Sequence, residues 1–298
     1  MGGSSAERAI SLQSGHAVAN ALDSSGHQVD RIDPAKTNLC SFNWPVCDVI
    51  FIALHGTFGE DGQLQTILEK TNIPYTGSNP TASRLAFHKS EAKKIFNQHN
   101  IPTPESIIFS DDICFEEIEQ RAQQLGYPLF VKPEAQGSSI GVSLVNQPQE
   151  LQAAIDLCLE YDSLGLIEKA ITGSEWTLGL FEETVFPIIQ IKYNHHFYDH
   201  HAKYEDESTS FIFDTNLSSA TKQKLISTGT AAYKALGASG VARVDLILDQ
   251  QGIPWVLEVN TIPGMTDHSN IPLAAKEMGW SFPTLCEKIC LAAMESKK

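Results

Sequence analysis

The stretch GVARVDLILDQQGIPWVLEVN, residues 240–260, contains two runs of alternating residues on either side of a turn. Alternation with a period of two is typical of β-strands, and the turn-forming residues 249–252 favour an antiparallel hairpin. Side chains at positions i and i+2 of a strand share a face, so Glu258 and Asn260 point the same way. If the two strands pair, Asp245 can lie on that face as well.

Three oxygen-bearing side chains on one face form a donor set that suits Mg²⁺, a hard cation usually held by carboxylates, waters and substrate phosphates. Arg243 shares the face with Asp245, either as a structural ion pair or as a clamp on an anionic reaction centre. Ordinary polar alternation on the outer face of a hairpin would produce the same spacing, and the pattern alone leaves this alternative open.

Two further segments provide backbone groups for an anionic ligand. The loop GSSIG, residues 137–141, follows a predicted strand that ends near Lys132, and its amides can wrap phosphate oxygens. A plain hairpin loop is the alternative. Downstream, residues 258–272 run from the acidic strand into a Pro-Gly turn, so the turn amides and Ser269 could face the same cavity.

The rest of the chain alternates between strand-like and helix-like patterns. The apolar run DVIFIAL, residues 48–54, predicts a strand covered on both faces. Helical spacing is found at residues 12–22, 89–99, 115–125, 149–159 and 220–236. These patterns predict an α/β region followed by α+β units. We expect an N-terminal α/β substrate domain at residues 1–85, a central subdomain at 86–171 and a C-terminal subdomain at 172–298.

Composition limits the possible functions. The 298 residues are 42% hydrophobic and 19% charged, as in a folded globular protein, and 21 Lys and Arg against 36 Asp and Glu give a net charge of −15. This charge repels nucleic acid and anionic membrane surfaces. The N-terminus lacks the order of a signal peptide, and the chain lacks a membrane-length apolar run. We therefore expect a cytoplasmic protein with neither nucleic acid nor membrane as partner.

A long polar and aromatic segment, residues 195–215, has no usable period and is expected to be a functional lid loop. It contains four histidines that could hold zinc, but no matching cysteine or carboxylate spacing accompanies them. Solvated loop histidines are therefore the favoured interpretation of His195, His196, His200 and His201.

Taken together, these motifs resemble the D-alanine–D-alanine ligase family of the ATP-grasp superfamily. The resemblance spans nearly the whole chain and rests on the strings MGGSSAER, LHGTFGEDGQLQTILE, IPYTGS, IPTP, FVKPEAQGSSIGVS, IEKAITGSEWTLG, AKY, GVARVDLILD and LEVNTIPGMTDHS. It implies an ATP-grasp fold with an N-terminal Rossmann-like (pre-ATP-grasp) domain. It also implies ATP-dependent ligation of two D-alanines through an acyl phosphate, for peptidoglycan precursor synthesis.

The resemblance implies a role for individual residues around ATP. Lys89, Lys132, Gly137 and Ser139 would bind phosphates, and Lys203 would reach the transferred phosphate. Glu168, Lys169 and Ile171 occupy the adenine positions of the family, and Glu175 its ribose position. Asp245, Glu258 and Asn260 would hold Mg²⁺ or Mn²⁺, expected as two ions.

For the amino acids, the resemblance implies that Glu7 pairs with the first ammonium group, with His55 at the neighbouring position. Arg243 and the amide of Gly264 would stabilise the tetrahedral oxyanion, and Ser269 would bind the second carboxylate. Ser138 and Tyr204 would form a hydrogen-bonded link with Glu7 that closes the lid.

One departure from the family pattern concerns the start of the chain. The family opens with an apolar strand that runs into Gly-Gly, whereas here Gly2 and Gly3 directly follow Met1. We expect the missing first strand to leave strand edges exposed and to loosen the loop that carries Glu7. Two alternatives remain open: another ATP-grasp carboxylate–amine ligase, and a nucleotide-binding pseudoenzyme. The family is often dimeric, which makes a homodimer an expectation.

Overall fold

The structure is a computed structural model that describes residues 1–193, 208–213 and 215–296. Its helices are α1 (Arg8–Ser24), α2 (Gln63–Glu69), α3 (Pro80–Phe87), α4 (Lys89–Gln98), α5 (Phe115–Leu125), α6 (Leu151–Leu159), α7 (Ser219–Ala235), α8 (Asn270–Glu277) and α9 (Phe282–Glu295), with short 3₁₀ turns at Leu39–Ser41 and Pro148–Glu150. They pack around two antiparallel sheets, so the α+β expectation is confirmed.

The first sheet belongs to the central part of the chain. Its strands are β1 (Ser106–Ser110), β2 (Leu129–Pro133), β3 (Ser143–Val145) and β4 (Leu164–Lys169), in the order β1-β4-β2-β3. Helices α5 and α6 cover it, because their apolar stripes, with Ile118 and Leu151 buried, meet Leu129 and Val131 of β2. The loop with residues 137–141 connects β2 to β3, as the sequence predicts.

The second sheet carries the predicted hairpin. Its strands are β5 (Gly173–Phe181), β6 (Thr184–Val185), β7 (Ile189–Lys192), β8 (Ser210–Ile212), β9 (Val241–Asp249) and β10 (Pro254–Asn260). The order is β10-β9-β5-β7-β8, with β6 paired to β5. Helix α7 packs on one face through Leu225 and Ala232. Helix α1 reaches the C-terminal helices α8 and α9, where Val18 joins a cluster with Ile271 and Leu285.

The N-terminal region forms less sheet than predicted. Residues 48–54 are expected to be a regular strand, but within the described ranges they make a single isolated parallel bridge, from Ile50 to Tyr75. The ladder stops there because the next available amide, that of Ile52, donates to the Thr76 side-chain hydroxyl at 3.0 Å instead of to a backbone carbonyl. The burial prediction holds, since Ile52 and Leu54 are buried.

Exposed strand edges and a loosened Glu7 loop are the sequence-based expectations for the first residues of the chain. A cavity of about 790 Å³ does lie between residues 27–34 and 48–54. The loosening of the Glu7 loop stays a prediction. The Gly3 amide donates to the Asp33 carboxylate at 3.0 Å, and Glu7 is buried at the start of α1.

Helix α3 is absent from the sequence-based prediction, which treats residues 74–80 as a turn-rich break. Asn79 accepts a hydrogen bond from the amide of Ala82 and Pro80 occupies the first turn, a standard helix start. Residue 85, the expected domain boundary, lies inside α3, and residue 171 lies between β4 and β5. None of the helices in the described ranges is both long and apolar enough to cross a membrane.

Candidate active site

The hairpin of β9 and β10 brings the predicted metal ligands onto one face. Glu258 pairs directly with Asp245, and Asn260 pairs with Arg243. Paired residues of an antiparallel ladder share a face. The register shifts by one residue between Val256 and Glu258, a β-bulge that the sequence pattern does not reveal. Without this shift Glu258 would point to the opposite face from Asp245.

Asp245 is held by two neighbours. The Arg243 guanidinium donates from Nε to Oδ1 and from Nη2 to Oδ2, both at 2.9 Å. The Thr177 hydroxyl, buried on the adjacent strand β5, donates to Oδ1 at 2.7 Å. These contacts fix the carboxylate toward the cavity in front of the hairpin and keep the positive charge of Arg243 at the same place.

The cavity in front of the hairpin has a volume of about 280 Å³. It has the size of a small-ligand site. It collects predicted residues from distant parts of the chain: Glu7, His55, Lys89, Gly137, Ser138, Arg243, Asp245, Glu258, Asn260, Gly264 and Ser269. Lys132, Ser139, Glu168, Lys169, Ile171 and Glu175 are not among its lining residues. Lys203 and Tyr204, with the four loop histidines, lie outside the described residues.

Glu7 meets the glycine-serine loop, which we call the flap (residues 137–141). The Ser138 hydroxyl donates to Oε1 of Glu7. A Cβ at Gly137 would lie 2.6 Å from Oε2 of Glu7, so a side chain there would have to displace this carboxylate. Ser138 and Ser139 adopt left-handed backbone angles, with φ of 52° and 57°. Such strain in non-glycine residues often accompanies a ligand-binding loop.

Glu60 is a lining residue that the sequence-based prediction missed. Its side chain is buried, and its Oε2 accepts the Gly56 amide. Burial raises the pKa of Glu60 well above its ordinary value, and the nearby Glu7 carboxylate raises it further. Its place in the glycine-rich string HGTFGEDG, residues 55–62, could have identified Glu60 as a site residue. In this loop its carboxylate lies close to a backbone amide, that of Gly56.

The two predicted phosphate-binding lysines occupy different positions. Lys89 is buried at the start of α4, and its Nζ donates to the Gln136 carbonyl at the base of the flap, at 2.6 Å. Burial lowers the pKa of Lys89; Glu258 opposes the shift and Lys132 adds to it. Lys132 donates to Oε1 of Glu168 at 2.9 Å. Lys89 thus contacts the base of the flap, whereas Lys132 contacts β4 of the first sheet.

The other residues predicted to contact the nucleotide lie near the connection between the two sheets. Lys169 ends β4, and its Nζ donates to the Gly126 carbonyl at 2.5 Å. Ile171 is half-buried in the connection to β5. Glu175 on β5 accepts the Tyr193 hydroxyl at 3.0 Å. These positions form a continuous path from the end of the first sheet to the second.

His55 contacts the turn after β10 through a buried serine. Its Nε2 lies 3.0 Å from the Ser14 hydroxyl, which also accepts the amide of Met265 at 3.2 Å. Burial lowers the pKa of His55 to about 4, so the ring is neutral at pH 7. In the same turn the backbone of Gly264 lies close to the Ser269 hydroxyl. A Cβ on Gly264 would be only 2.9 Å from Oγ of Ser269.

The side chains present fit a magnesium ion. Within the described ranges no group of three His, Cys, Asp or Glu side chains is close enough to hold a metal. Two carboxylates completed by the amide oxygen of Asn260 are a donor set for a hard cation that also keeps waters and phosphate oxygens. Asn260 can still take part, because a carbonyl oxygen has two lone pairs and its Oδ1 accepts one amide, that of Ile262.

The chain matches two sequence families. The family described as D-ala D-ala ligase C-terminus matches residues 95–291, and D-ala D-ala ligase N-terminus matches residues 36–78. A D-alanine–D-alanine ligase of Pseudomonas putida (strain GB-1) is 44% identical over 285 residues, which is 95% of this chain and 88% of the relative.

Solved structures give the same result. The D-alanine–D-alanine ligase of Bacillus anthracis complexed with ATP aligns with a TM-score of 0.84 and 33% identity, covering 100% of this chain and 96% of the other. A D-Ala:D-Ser ligase of Enterococcus faecalis aligns with a TM-score of 0.83 and 28% identity, over 98% of this chain and 97% of the other. On its sequence, its fold and the arrangement of its cavity, this chain belongs to the D-alanine–D-alanine ligase family.

Proposed function

We propose that this protein joins two D-alanines into D-alanyl-D-alanine, with conversion of ATP to ADP and phosphate. The observation that carries the proposal is the β-bulge that puts Glu258 opposite Asp245, on the face that shares a cavity with Glu7 and the flap. We therefore infer an acidic pocket for an ammonium group next to a site for phosphate and metal. The relatives named above support ATP as the second substrate.

In the first half-reaction, a carboxylate oxygen of the first D-alanine attacks the γ-phosphorus of ATP, and the bond to ADP breaks. Glu7 is the partner for the ammonium group of this D-alanine, because it is a buried carboxylate held in position by Ser138. Lys89, Lys132 and the flap amides neutralise the phosphate chain. The product of this step is D-alanyl phosphate.

In the second half-reaction, the amine of the second D-alanine attacks the acyl carbon of D-alanyl phosphate. Charge develops on the carbonyl oxygen, and Arg243 with the amide of Gly264 is suited to stabilise it. The amine loses a proton and phosphate leaves, which yields the peptide bond. Ser269 at the start of α8 is the proposed partner for the carboxylate of this second D-alanine.

We propose Asp245, Glu258 and Asn260 as the side chains that hold Mg²⁺, as two ions. Bound there, magnesium would neutralise charge on the phosphate oxygens. Lys203 and Tyr204 belong to the proposed lid loop, residues 195–215, which would exclude water from the acyl phosphate. Glu168, Lys169, Ile171 and Glu175 stay proposed contacts of the adenosine moiety.

The proposed site draws on all three proposed domains: Glu7 from residues 1–85, the flap and adenine residues from 86–171, and the ribose, metal, oxyanion and second-carboxylate residues from 172–298. We also propose the cytoplasm as the location of the reaction, and a homodimer, as is frequent in this family. Light scattering coupled to size exclusion would measure the number of protomers.

The test is ADP formation with MgATP and D-alanine, together with detection of the dipeptide by mass spectrometry. We expect ADP and D-alanyl-D-alanine in equal amounts, and none with L-alanine. The Glu258→Gln variant should lose activity by about two to three orders of magnitude, as expected when charge stabilisation at the reaction centre is removed. ADP formation without D-alanyl-D-alanine would contradict the proposal.

A second candidate is ligation of D-alanine to a different amine, because one structural neighbour is a D-Ala:D-Ser ligase. Competition between D-alanine and D-serine at equal concentration separates the two functions. A dipeptide pool that is mostly D-alanyl-D-serine would favour the second candidate. A nucleotide-binding pseudoenzyme would bind ADP and release no phosphate with any amino acid.

A further inference from the structure

Lys93 is a buried cation that has no role in the proposed reaction. It lies on α4, one turn after Lys89, and is 4% exposed. Its Nζ contacts Oε2 of Glu168 at 2.6 Å, the Thr103 hydroxyl at 2.9 Å and the Pro104 carbonyl at 2.7 Å. Two of these contacts are hydrogen bonds and the third is an ion pair, so the ammonium group is surrounded by protein oxygens.

These contacts put the carboxylate of Glu168 between two lysines. Oε1 accepts from Lys132 at 2.9 Å while Oε2 lies 2.6 Å from Nζ of Lys93, and all three side chains are largely buried. One carboxylate against two ammonium groups leaves one positive charge in excess. Burial alone would raise the pKa of Glu168, but Lys132 and Lys93 together lower it, so the carboxylate stays charged.

The two lysines face different sides of this carboxylate. Lys132 gives one of its N–H groups to Oε1 and lies on β2, directly before the flap. If Lys93 carried no charge, Lys132 would be the one cation left in contact with this buried carboxylate among the residues that the structure describes. Lys132 would then be drawn to Glu168 and away from a phosphate group.

The same lysine is connected to the hairpin of the second sheet. The Thr103 hydroxyl, which accepts from Lys93, donates to the Val256 carbonyl at 2.9 Å. The amide of Val256 in turn donates to the Pro102 carbonyl at 2.8 Å. Val256 is the last residue before the bulge that orients Glu258. Lys93 thus contacts both the nucleotide side of the first sheet and the segment that supports the hairpin.

We propose that Lys93 is a positioning residue for nucleotide binding, which holds Glu168 by one oxygen so that Lys132 keeps N–H groups for a phosphate oxygen. The inference rests on the proposed function, since it assumes that Lys132 meets the phosphates of ATP. It differs from a purely structural role, because it requires the charge of Lys93 and not only the packing of its side chain.

The test measures the Kd of ADP by isothermal titration calorimetry without D-alanine, so that it does not depend on turnover. We expect Lys93→Met to raise the Kd at least tenfold. Lys94→Met, which removes an exposed charge at the next position, should change it less than twofold. Thr103→Val removes a hydrogen bond of Lys93 but keeps its charge, so the Kd should change less than threefold even where the melting temperature falls.

An unchanged Kd in folded Lys93→Met would overturn the inference, as would equal losses in Lys93→Met and Thr103→Val. If Lys93→Met does not fold, Thr103→Val and Lys93→Arg still test it. Both keep the charge and should keep the affinity for ADP, so a tenfold loss in Thr103→Val contradicts the proposal. ADP binding with the expected variant pattern, but without dipeptide formation, would reject the proposed function and leave the role of Lys93 standing.

Discussion

At the level of single residues, Glu7 leaves no room for a side chain at position 137. A Cβ there would lie 2.6 Å from Oε2 of Glu7, at a backbone angle that other residues can adopt. We expect Gly137→Ala to displace the carboxylate and to lower kcat/KM for D-alanine at least tenfold, with little change in melting temperature. Gly26→Ala is the control, because a Cβ there meets nothing within 4 Å while its φ of +90° strains the backbone. It should lose stability and keep activity; the same response in both variants would contradict the argument.

His55 gives a second prediction for a single residue, in the pH dependence of stability. Burial lowers its pKa to about 4 in the folded protein, against about 6.5 in the unfolded chain. Between these values the unfolded chain binds more protons, so the free energy of unfolding falls as the pH decreases, by about 3 kcal/mol in total. The contribution is complete above pH about 6.5.

Urea denaturation between pH 7.5 and 4.5 measures this effect. His55→Gln should be less stable than the wild type at pH 7.5, and the difference should shrink as the pH decreases. His16→Gln, at an exposed position of α1, should keep the wild-type slope. A difference between wild type and His55→Gln that is constant with pH would show that the ring does not titrate as argued.

At the level of elements, the first turn of α4 is held by Glu134. This carboxylate accepts the amide and hydroxyl of Ser90 at 3.0 and 2.7 Å and contacts Nδ1 of His88 at 2.7 Å. We expect Glu134→Ala to lower the free energy of unfolding by roughly 1–3 kcal/mol, as for a lost helix cap with buried partners. Glu91→Ala, which removes a surface ion pair between α4 and Arg84 of α3, should cost less than about 1 kcal/mol.

The effect of Glu134 should also depend on pH. Burial opposes ionisation, but the bonds from Ser90 and His88 lower the pKa of Glu134 in the folded protein. Its contribution is therefore present above the unfolded value of about 4.3 and is lost as the pH falls through the folded value. The difference between wild type and Glu134→Ala should shrink in acid; a growing difference would mean that another group dominates.

Most elements were predictable from sequence periodicity, and the exceptions have local causes. The helices predicted at residues 89–99 and 115–125 are found at Lys89–Gln98 and Phe115–Leu125. Helix α3 was missed because a Pro following Asn signals a turn and a helix start equally well. The strand at 48–54 was overpredicted because an apolar run reports burial, whereas a ladder needs backbone partners, and Thr76 supplies a hydroxyl in their place.

At the level of the whole molecule, Ser14 connects the beginning and the end of the chain. It is fully buried on α1, and its hydroxyl contacts His55 and accepts the amide of Met265, which is 251 positions away. We expect Ser14→Ala to lower the free energy of unfolding by roughly 2–4 kcal/mol, because two buried polar groups lose their partner. It should also lower kcat, because the turn with Gly264 loses an anchor.

Ser24→Ala is the matched control on the same helix. Its exposed hydroxyl donates to the carbonyl of Ala21 one turn earlier, so its loss should cost less than about 0.5 kcal/mol and leave kcat unchanged. Equal stability of the wild type and Ser14→Ala would show that the contact between α1 and the turn contributes nothing.

Strand and helix patterns, the glycine-serine flap and the acidic hairpin all follow from local spacing, because side-chain periodicity is a property of neighbouring residues. The set of side chains around the cavity does not follow from local spacing. The bulge before Glu258 turns its carboxylate toward Asp245, and the approach of α1 and the flap brings Glu7 to the same cavity. A one-residue shift of register reverses the face of every later side chain in the strand. Strand pairing, and not the order of residues, sets this register.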